Sequence, residues 1–237
     1  MKKKLILDIL RRKDKDDAPY IQSFEYETEN LSESVATALT NLNARPKLKD
    51  AEGNDALPIR WERNCLQKKC GACAMVINGK PGLACYRMLS ECGERVKIEP
   101  LRKFPVVADL IVDRSVMFEN LKAINLWLEG EAIVKEKNAG LNYDASRCLQ
   151  CGCCLEVCPN FATGGRFTGM SSAVPMARLI SEMPREQRKE VIRQYNKRIY
   201  AGCGKSLACK DICPAGIDTE RMLVSSNAAL FWKAFTK

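Results

Sequence analysis

Residues 148–159 read CLQCGCCLEVCP, five cysteines within eleven positions followed by a proline, in a chain with no histidine. A run this dense leaves little choice of fold, because a segment that must bring several thiols to one point has to curl tightly around it. The chain has thirteen cysteines, an odd number that cannot pair completely within itself. Its N-terminus, MKKKLILDILRRKDKDD, holds five apolar residues between basic clusters, interrupted by Asp8, too few for a secretory signal core. A secreted disulfide scaffold is therefore not expected. Cysteine-rich chains in a reducing compartment use their thiolates for metal or redox chemistry. No stretch approaches eighteen consecutive apolar residues, so no spanning helix is expected and any membrane contact is peripheral.

The cysteines form two groups, Cys65 to Cys92 and Cys148 to Cys213, separated by 55 residues without any. This points to two modules in 237 residues. In the first, KLILDIL and residues 23–27 read as strands, and LSESVATALTNL places Leu31, Val35, Leu39 and Leu42 at helical spacing with Asn30 or Ser32 as cap. AMVINGKPGLAC carries Asn78-Gly79 between apolar runs, a hairpin signal. VKIEPLRKFPVVADLIVD, with Pro100 and Pro105, reads as the connection between the modules.

Beyond it the texture is helical. SVMFENLKAINLWL sets Val116, Leu121, Ile124 and Leu128 near one face, and PREQRKEVIRQYNKRI starts at Pro184 with Ile192, Tyr195 and Ile199 in a stripe. TERMLVSSNAALFWKAF is a last helix, with Phe231, Trp232 and Phe235 near its end; internal packing is the expectation for these aromatics.

In the first group Cys65-x4-Cys70-x2-Cys73-x11-Cys85 has three close ligands and a distant fourth, the plant-type spacing for a [2Fe-2S] cluster. Gly71 and Ala72 are small enough to let the loop wrap. A four-cysteine zinc site is the competing reading, but it favours two C-x2-4-C knuckles and the second is missing. Cys92 fits no ligand spacing and is expected to be a buried, hydrophobic thiol.

In the second group Cys148-x2-Cys151-x2-Cys154-x3-Cys158-Pro159 matches the bacterial ferredoxin run, whose fourth cysteine reaches a second cluster. Its counterpart is Cys203-x5-Cys209-x3-Cys213-Pro214. By crossover, Cys213 completes a [4Fe-4S] cluster with Cys148, Cys151 and Cys154. Cys158, Cys203 and Cys209 then hold the other. Ser206 stands where a symmetric run has a cysteine, so three thiolates predict a [3Fe-4S] cluster, with a serine-ligated cubane left open. Cys153 falls outside the register and is expected to pack beside the cluster without binding it. The metal residues expected are thus Cys65, Cys70, Cys73, Cys85, Cys148, Cys151, Cys154, Cys158, Cys203, Cys209 and Cys213, and no catalytic residue is expected.

Three such centres in one chain make a one-electron relay. No dinucleotide or phosphate loop is visible, since GGRFTG has the wrong spacing, and no nucleophile pairs with a base. The formal charge of +9 would suggest nucleic acid, but thiolate-ligated clusters carry roughly two negative charges each, which leaves the basic residues as compensation. A basic zinc module for nucleic acid would be colourless, whereas the relay is brown and bleaches with dithionite.

The ordered set of spacings, together with LRKFPVVADLIVDRSVMFENLKAINLWL, resembles the iron-sulfur subunit of succinate dehydrogenase and fumarate reductase, respiratory complex II, over nearly the whole chain. The resemblance implies an α+β protein: an N-terminal β-grasp, plant-type [2Fe-2S] ferredoxin domain (1–104) and an all-α helical ferredoxin domain (105–237). It implies a flavoprotein partner with covalent FAD, where succinate and fumarate interconvert, and a membrane anchor handling quinone, with the chain peripheral on the cytoplasmic face of the membrane and no nucleic acid. The [2Fe-2S] centre then exchanges electrons with the flavin, and the centre of Cys158, Cys203 and Cys209 lies nearest the quinone.

Some members have tryptophan, histidine and lysine near the quinone where this chain has Thr163, Gly204 and Asn227, so no quinone contacts are carried over. The Cys203-Gly204 pair resembles the menaquinone-linked branch, whose anchor often carries haem. Attachment of the same relay to another flavoprotein or to a thiol-linked fumarate reductase is the alternative; Cys153-Cys154 lacks the glycine that follows such pairs.

Overall fold

The computed structural model describes residues 2–128, 130–184 and 187–232. The chain folds as two compact units, Met1–Asp113 and Arg114–Lys237.

In the first unit β1 (Lys3–Arg11) alternates, with Leu5, Leu7, Ile9 and Arg11 turned inward. It pairs antiparallel with β2 (Tyr20–Thr28) and parallel with β5 (Arg95–Glu99). The sheet is completed by β3 (Ala74–Ile77) and β4 (Lys80–Leu83), in the order β2-β1-β5-β3-β4. Parallel neighbours need a crossover, and the chain between β1 and β5 supplies the helix and every cysteine of the first group. The β3–β4 turn is Asn78-Gly79 with φ of 48° and 78°, the left-handed pair that a two-residue hairpin requires.

Helix α1 (Val35–Asn43) starts later than the sequence suggests, and its cap is Ser34, which accepts from the Thr37 amide at 3.2 Å. Asn30 is already committed, because its Oδ1 accepts from Ser32 N in the preceding turn. Leu31 therefore lies outside the helix, while Val35, Leu39 and Leu42 are fully buried.

The boundary expected between 104 and 105 moves to 113/114, since residues 105–113 belong to the first unit. They form a hairpin of β6 (Val106–Ala108) and β7 (Ile111–Val112) with Asp109 at its turn. Asp109 is 1% exposed; its carboxylate meets Arg11 Nε at 3.0 Å and accepts from the amides of Arg12 at 3.0 Å and Arg60 at 2.9 Å. A buried ion pair with satisfied lone pairs fixes this segment, and a proline-punctuated stretch does not reveal that partner.

Among the described residues the second unit is built of α-helices and 3-10 turns and contains no strand. Its helices are α2 (Ser115–Ala123), α3 (Ala139–Ser146), α4 (Cys153–Glu156), α5 (Met170–Glu182), α6 (Arg188–Arg198) and α7 (Thr219–Trp232). α5 is the hub against which the other five pack. Its Met176, Ala177 and Ile180 join Tyr195, Ile199 and Met222 in one apolar core.

α2 buries Met117 and Asn120; of the expected face Ile124, at its C-cap, is fully buried, Leu121 and Leu128 pack against the core and Val116 is half-buried, and the helix stops before Leu128 because Asn125 turns left-handed at φ 52°. α6 begins at Arg188, four residues after Pro184, and keeps the expected stripe of Ile192, Tyr195 and Ile199 buried. Phe231 is 55% exposed and meets the Tyr200 ring edge-on at 5.6 Å, so it is only partly packed; Phe235 lies outside the described residues.

Candidate cluster sites

The first cysteine set is assembled by the β3–β4 hairpin. Cys73 immediately precedes β3 and Cys85 follows β4 by one residue, so the eleven-residue gap in sequence is closed by the pairing of Ala74 with Leu83. The Ala84 amide also donates to the Cys73 carbonyl at 3.0 Å, and the Ala36 amide of α1 donates to the Ala84 carbonyl.

Cys65 and Cys70 lie on the preceding loop, where Leu66, Lys68 and Gly71 take left-handed φ of 53°, 59° and 74°. This alternation turns amides toward sulfur. Cys65 Sγ accepts from the Gln67 and Lys69 amides, and Cys85 Sγ from the Lys68 amide, each at 3.3 Å. The Gln67 amide, with the Cys70 thiol and the Lys69 amide, holds the Cys65 thiol down at about 7. Burial drives the Cys73 thiol up to about 12. The Lys68 ammonium sits 3.4 Å from the centre of the Tyr86 ring, a cation–π contact beside the loop.

Two further sets meet in the second unit. Cys148 follows α3, Cys151 precedes Gly152 (φ 87°), Cys154 is inside α4, and Cys213 comes from the C-terminal loop; all four line one pocket. Cys158, Cys203 and Cys209 line a second pocket together with Ser206, and the two pockets share Cys154 and Met170. The two sites are thus neighbours across one turn of helix.

The electrostatics follow the same grouping. Burial pushes Cys148 up to about 11, with repulsion from Cys151 and Cys213 added. Burial raises Cys154 well above the ordinary thiol, with Cys151, Cys148 and Cys213 opposing its ionisation. Cys209 is raised by burial, with Cys158 and Cys203 as its like-charged neighbours. Thiolates so placed ionise together only around compensating positive charge, which iron supplies.

The pockets therefore fit anionic sulfur clusters: several converging thiols, N–H donors aimed at sulfur, and curled backbone. Lys205 and Leu207, at φ 53° and 55°, and Gln150, at 48°, repeat the left-handed signature of the first loop. Five of the eight non-glycine residues with positive φ in the described chain lie in these three loops. Among the described residues no three Cys, Asp or Glu side chains converge on a single metal-ion position. A cluster instead spreads its thiolates over several irons.

Cys153 is completely buried and hydrogen-bonded to Cys151. The proton stays on Cys153, whose thiol is raised first by that bond, while Cys151 is lowered to about 7 by it. Cys92 is buried too, with Sγ 3.2 Å from the Met88 carbonyl. Asn227 accepts from Tyr195 Oη at 2.7 Å, and a side chain at Gly204 would come within 3.1 Å of Asn160, which is itself bonded to the Gly202 carbonyl. Sequence reasoning missed the donors Lys68, Gln150 and Thr219, the last of which reaches the Cys209 carbonyl at 3.3 Å. The left-handed backbone that aims the first two has no residue-type signal, since leucine, lysine and glutamine ordinarily avoid it.

A sheet-bearing unit with one thiol set and a helical unit with two define an iron-sulfur protein of the ferredoxin type. The pattern of a 2Fe-2S iron-sulfur cluster binding domain matches residues 6–119, and that of a 4Fe-4S dicluster domain matches residues 144–217. The chain is 33% identical to the succinate dehydrogenase iron-sulfur subunit of Bacillus subtilis, over 98% of this chain and 95% of that one. It is 29% identical to the fumarate reductase iron-sulfur subunit of Escherichia coli O6:H1, over 91% and 88%.

A chain of the Mycobacterium smegmatis Sdh1 complex in the apo form superimposes with a TM-score of 0.81 at 22% identity, covering 100% of this chain and 99% of that chain, so the fold is shared. The chain belongs to the family of succinate dehydrogenase and fumarate reductase iron-sulfur subunits, electron-transfer subunits of an oxidoreductase. No helix among its described residues is long and apolar enough to cross a membrane.

Proposed function

We propose that this chain carries single electrons between a flavoprotein partner, where FAD interconverts succinate and fumarate, and a membrane anchor that exchanges them with quinone or haem. The observation that carries the reading is the sorting of eleven cysteines into three sets, each with its own curled loop. When bound, the clusters supply one-electron redox chemistry at potentials set by their surroundings.

Cys65, Cys70, Cys73 and Cys85 hold a [2Fe-2S] group in a β-grasp domain. Cys148, Cys151, Cys154 and Cys213 hold a [4Fe-4S] group in an all-α domain. In that same domain Cys158, Cys203 and Cys209 hold a [3Fe-4S] group. The residues' own work is to bind, to exclude water and to point N–H groups at sulfur; the amides of residues 67–69 do so for the first site. Docking is on the cytoplasmic face of the cell membrane, through partners, and the basic surface compensates the anionic centres rather than binding nucleic acid.

Anaerobically prepared protein is expected to contain about nine irons per chain, with a three-iron EPR signal when oxidised and [2Fe-2S] and [4Fe-4S] signals after dithionite. Zinc with no paramagnetic signal would sink the relay. Cys153→Ala is expected to retain all three signals, at most with some loss of stability from the cavity it opens. A missing cluster in that variant would make Cys153 a ligand.

A further inference from the structure

A pair of hydrogen bonds links the Ser171 carbonyl, which Pro175 leaves without its helical donor, to the sulfur of Cys148. Pro175 lies inside α5 and has no N–H, so the Ser171 carbonyl, four residues earlier, lacks its helical donor. That carbonyl accepts instead from Gln150 Nε2 at 2.9 Å. The same nitrogen donates its second hydrogen to Cys148 Sγ at 3.3 Å.

Two acceptors fix which way the amide faces. Turned over, its oxygen would point at both a carbonyl oxygen and a sulfur. In the observed orientation Gln150 Oε1 is buried without a hydrogen-bond partner, and the residue holds a left-handed φ of 48°. An orphaned acceptor and a strained backbone at one residue are costly features to keep. What they secure is a donor on sulfur.

We propose that Gln150, aimed by the carbonyl that Pro175 leaves free, is a positioning residue that raises the reduction potential of the [4Fe-4S] centre through the Cys148 sulfur. This rests on Cys148 being a ligand, as proposed above. Reduction adds one electron and no bond breaks, so the extra negative charge is shared with the ligand sulfurs, and an N–H dipole aimed at one of them favours the reduced state. Removing the donor disfavours it.

The test is an EPR-monitored redox titration of the full chain with its clusters, wild type against Gln150→Met, which keeps the side-chain length without the donor. At the wild-type midpoint the ratio of reduced to oxidised [4Fe-4S] is expected to fall about tenfold, equivalent to about 59 mV for one electron, with the [2Fe-2S] midpoint unchanged. An undiminished signal at an unchanged midpoint overturns the inference. Pro175→Ala, which leaves Gln150 in place but restores a helical donor to Ser171, is expected to shift the midpoint the same way by less. No shift there removes Pro175 from the argument, even if Gln150→Met fails to assemble. Full retention of the [4Fe-4S] signal in Cys148→Ser would instead overturn the ligand assignment itself.

Discussion

Ser206→Cys is expected to abolish the oxidised three-iron signal and to raise the iron content by about one atom per chain. Ser206 lines the same pocket as Cys158, Cys203 and Cys209, and it sits between the left-handed Lys205 and Leu207, so the loop is already curled around that pocket. The substitution exchanges oxygen for sulfur without demanding a new backbone conformation. A hydroxyl is a poor ligand for soft cluster iron, whereas a thiolate completes a cubane. Iron counting with EPR on the oxidised protein decides the matter. A three-iron signal that survives unaltered would remove this set of three cysteines as the ligands.

Asp109→Asn is expected to destabilise the first unit by about 3–5 kcal/mol, because it leaves the Arg11 guanidinium buried without a counter-charge. Arg11 is 3% exposed and also donates to Gln22 Oε1 and to the Leu57 and Pro58 carbonyls, so it cannot swing out to water without breaking those bonds. Asparagine tolerates the left-handed φ of 45° at this position, so the backbone is kept, while its NH2 replaces one of the two oxygens that accept from the Arg12 and Arg60 amides and adds to the loss.

Although burial opposes ionisation, Arg11 and the Arg60 and Arg12 amides leave Asp109 below its ordinary 3.8 in the folded state. A depressed folded pKa means the contribution is complete above that value and drains away as the pH falls through the lowered one. It is therefore fully present at neutral pH, where urea unfolding of wild type and variant, followed by circular dichroism, measures it. A loss under about 1 kcal/mol would show that the neutral partners of Arg11 suffice.

Cysteine spacing made the candidate sites legible because thiolate ligation is local in sequence wherever one loop wraps a cluster. Cys148, Cys151 and Cys154 fall on one turn-and-helix segment, and Asn78-Gly79 announces the hairpin that returns Cys85 to Cys73. The strand pattern of Leu5, Leu7 and Ile9 was equally plain, since period two reports directly on which face is buried.

Helix limits were less legible. Asn30 and Ser34 are both acceptable caps by residue type, and the choice depended on Asn30 being engaged by Ser32. The same holds for residues 105–113, assigned by a buried carboxylate whose partner, Arg11, is remote in sequence.

By itself, then, the sequence determined the number of thiol sets, the order of a sheet-bearing and a helical module, and the absence of a fourth cysteine at position 206. Only the tertiary structure decided which donors face the sulfurs. Gln150, on a loop, donates both to Cys148 and to the Ser171 carbonyl that a proline in α5 frees, and Lys68 offers its amide to Cys85 because its backbone turns left-handed. Thiol grouping is written in residue type and spacing, but hydrogen bonding to the sulfurs depends on backbone direction and on atoms brought close from distant segments.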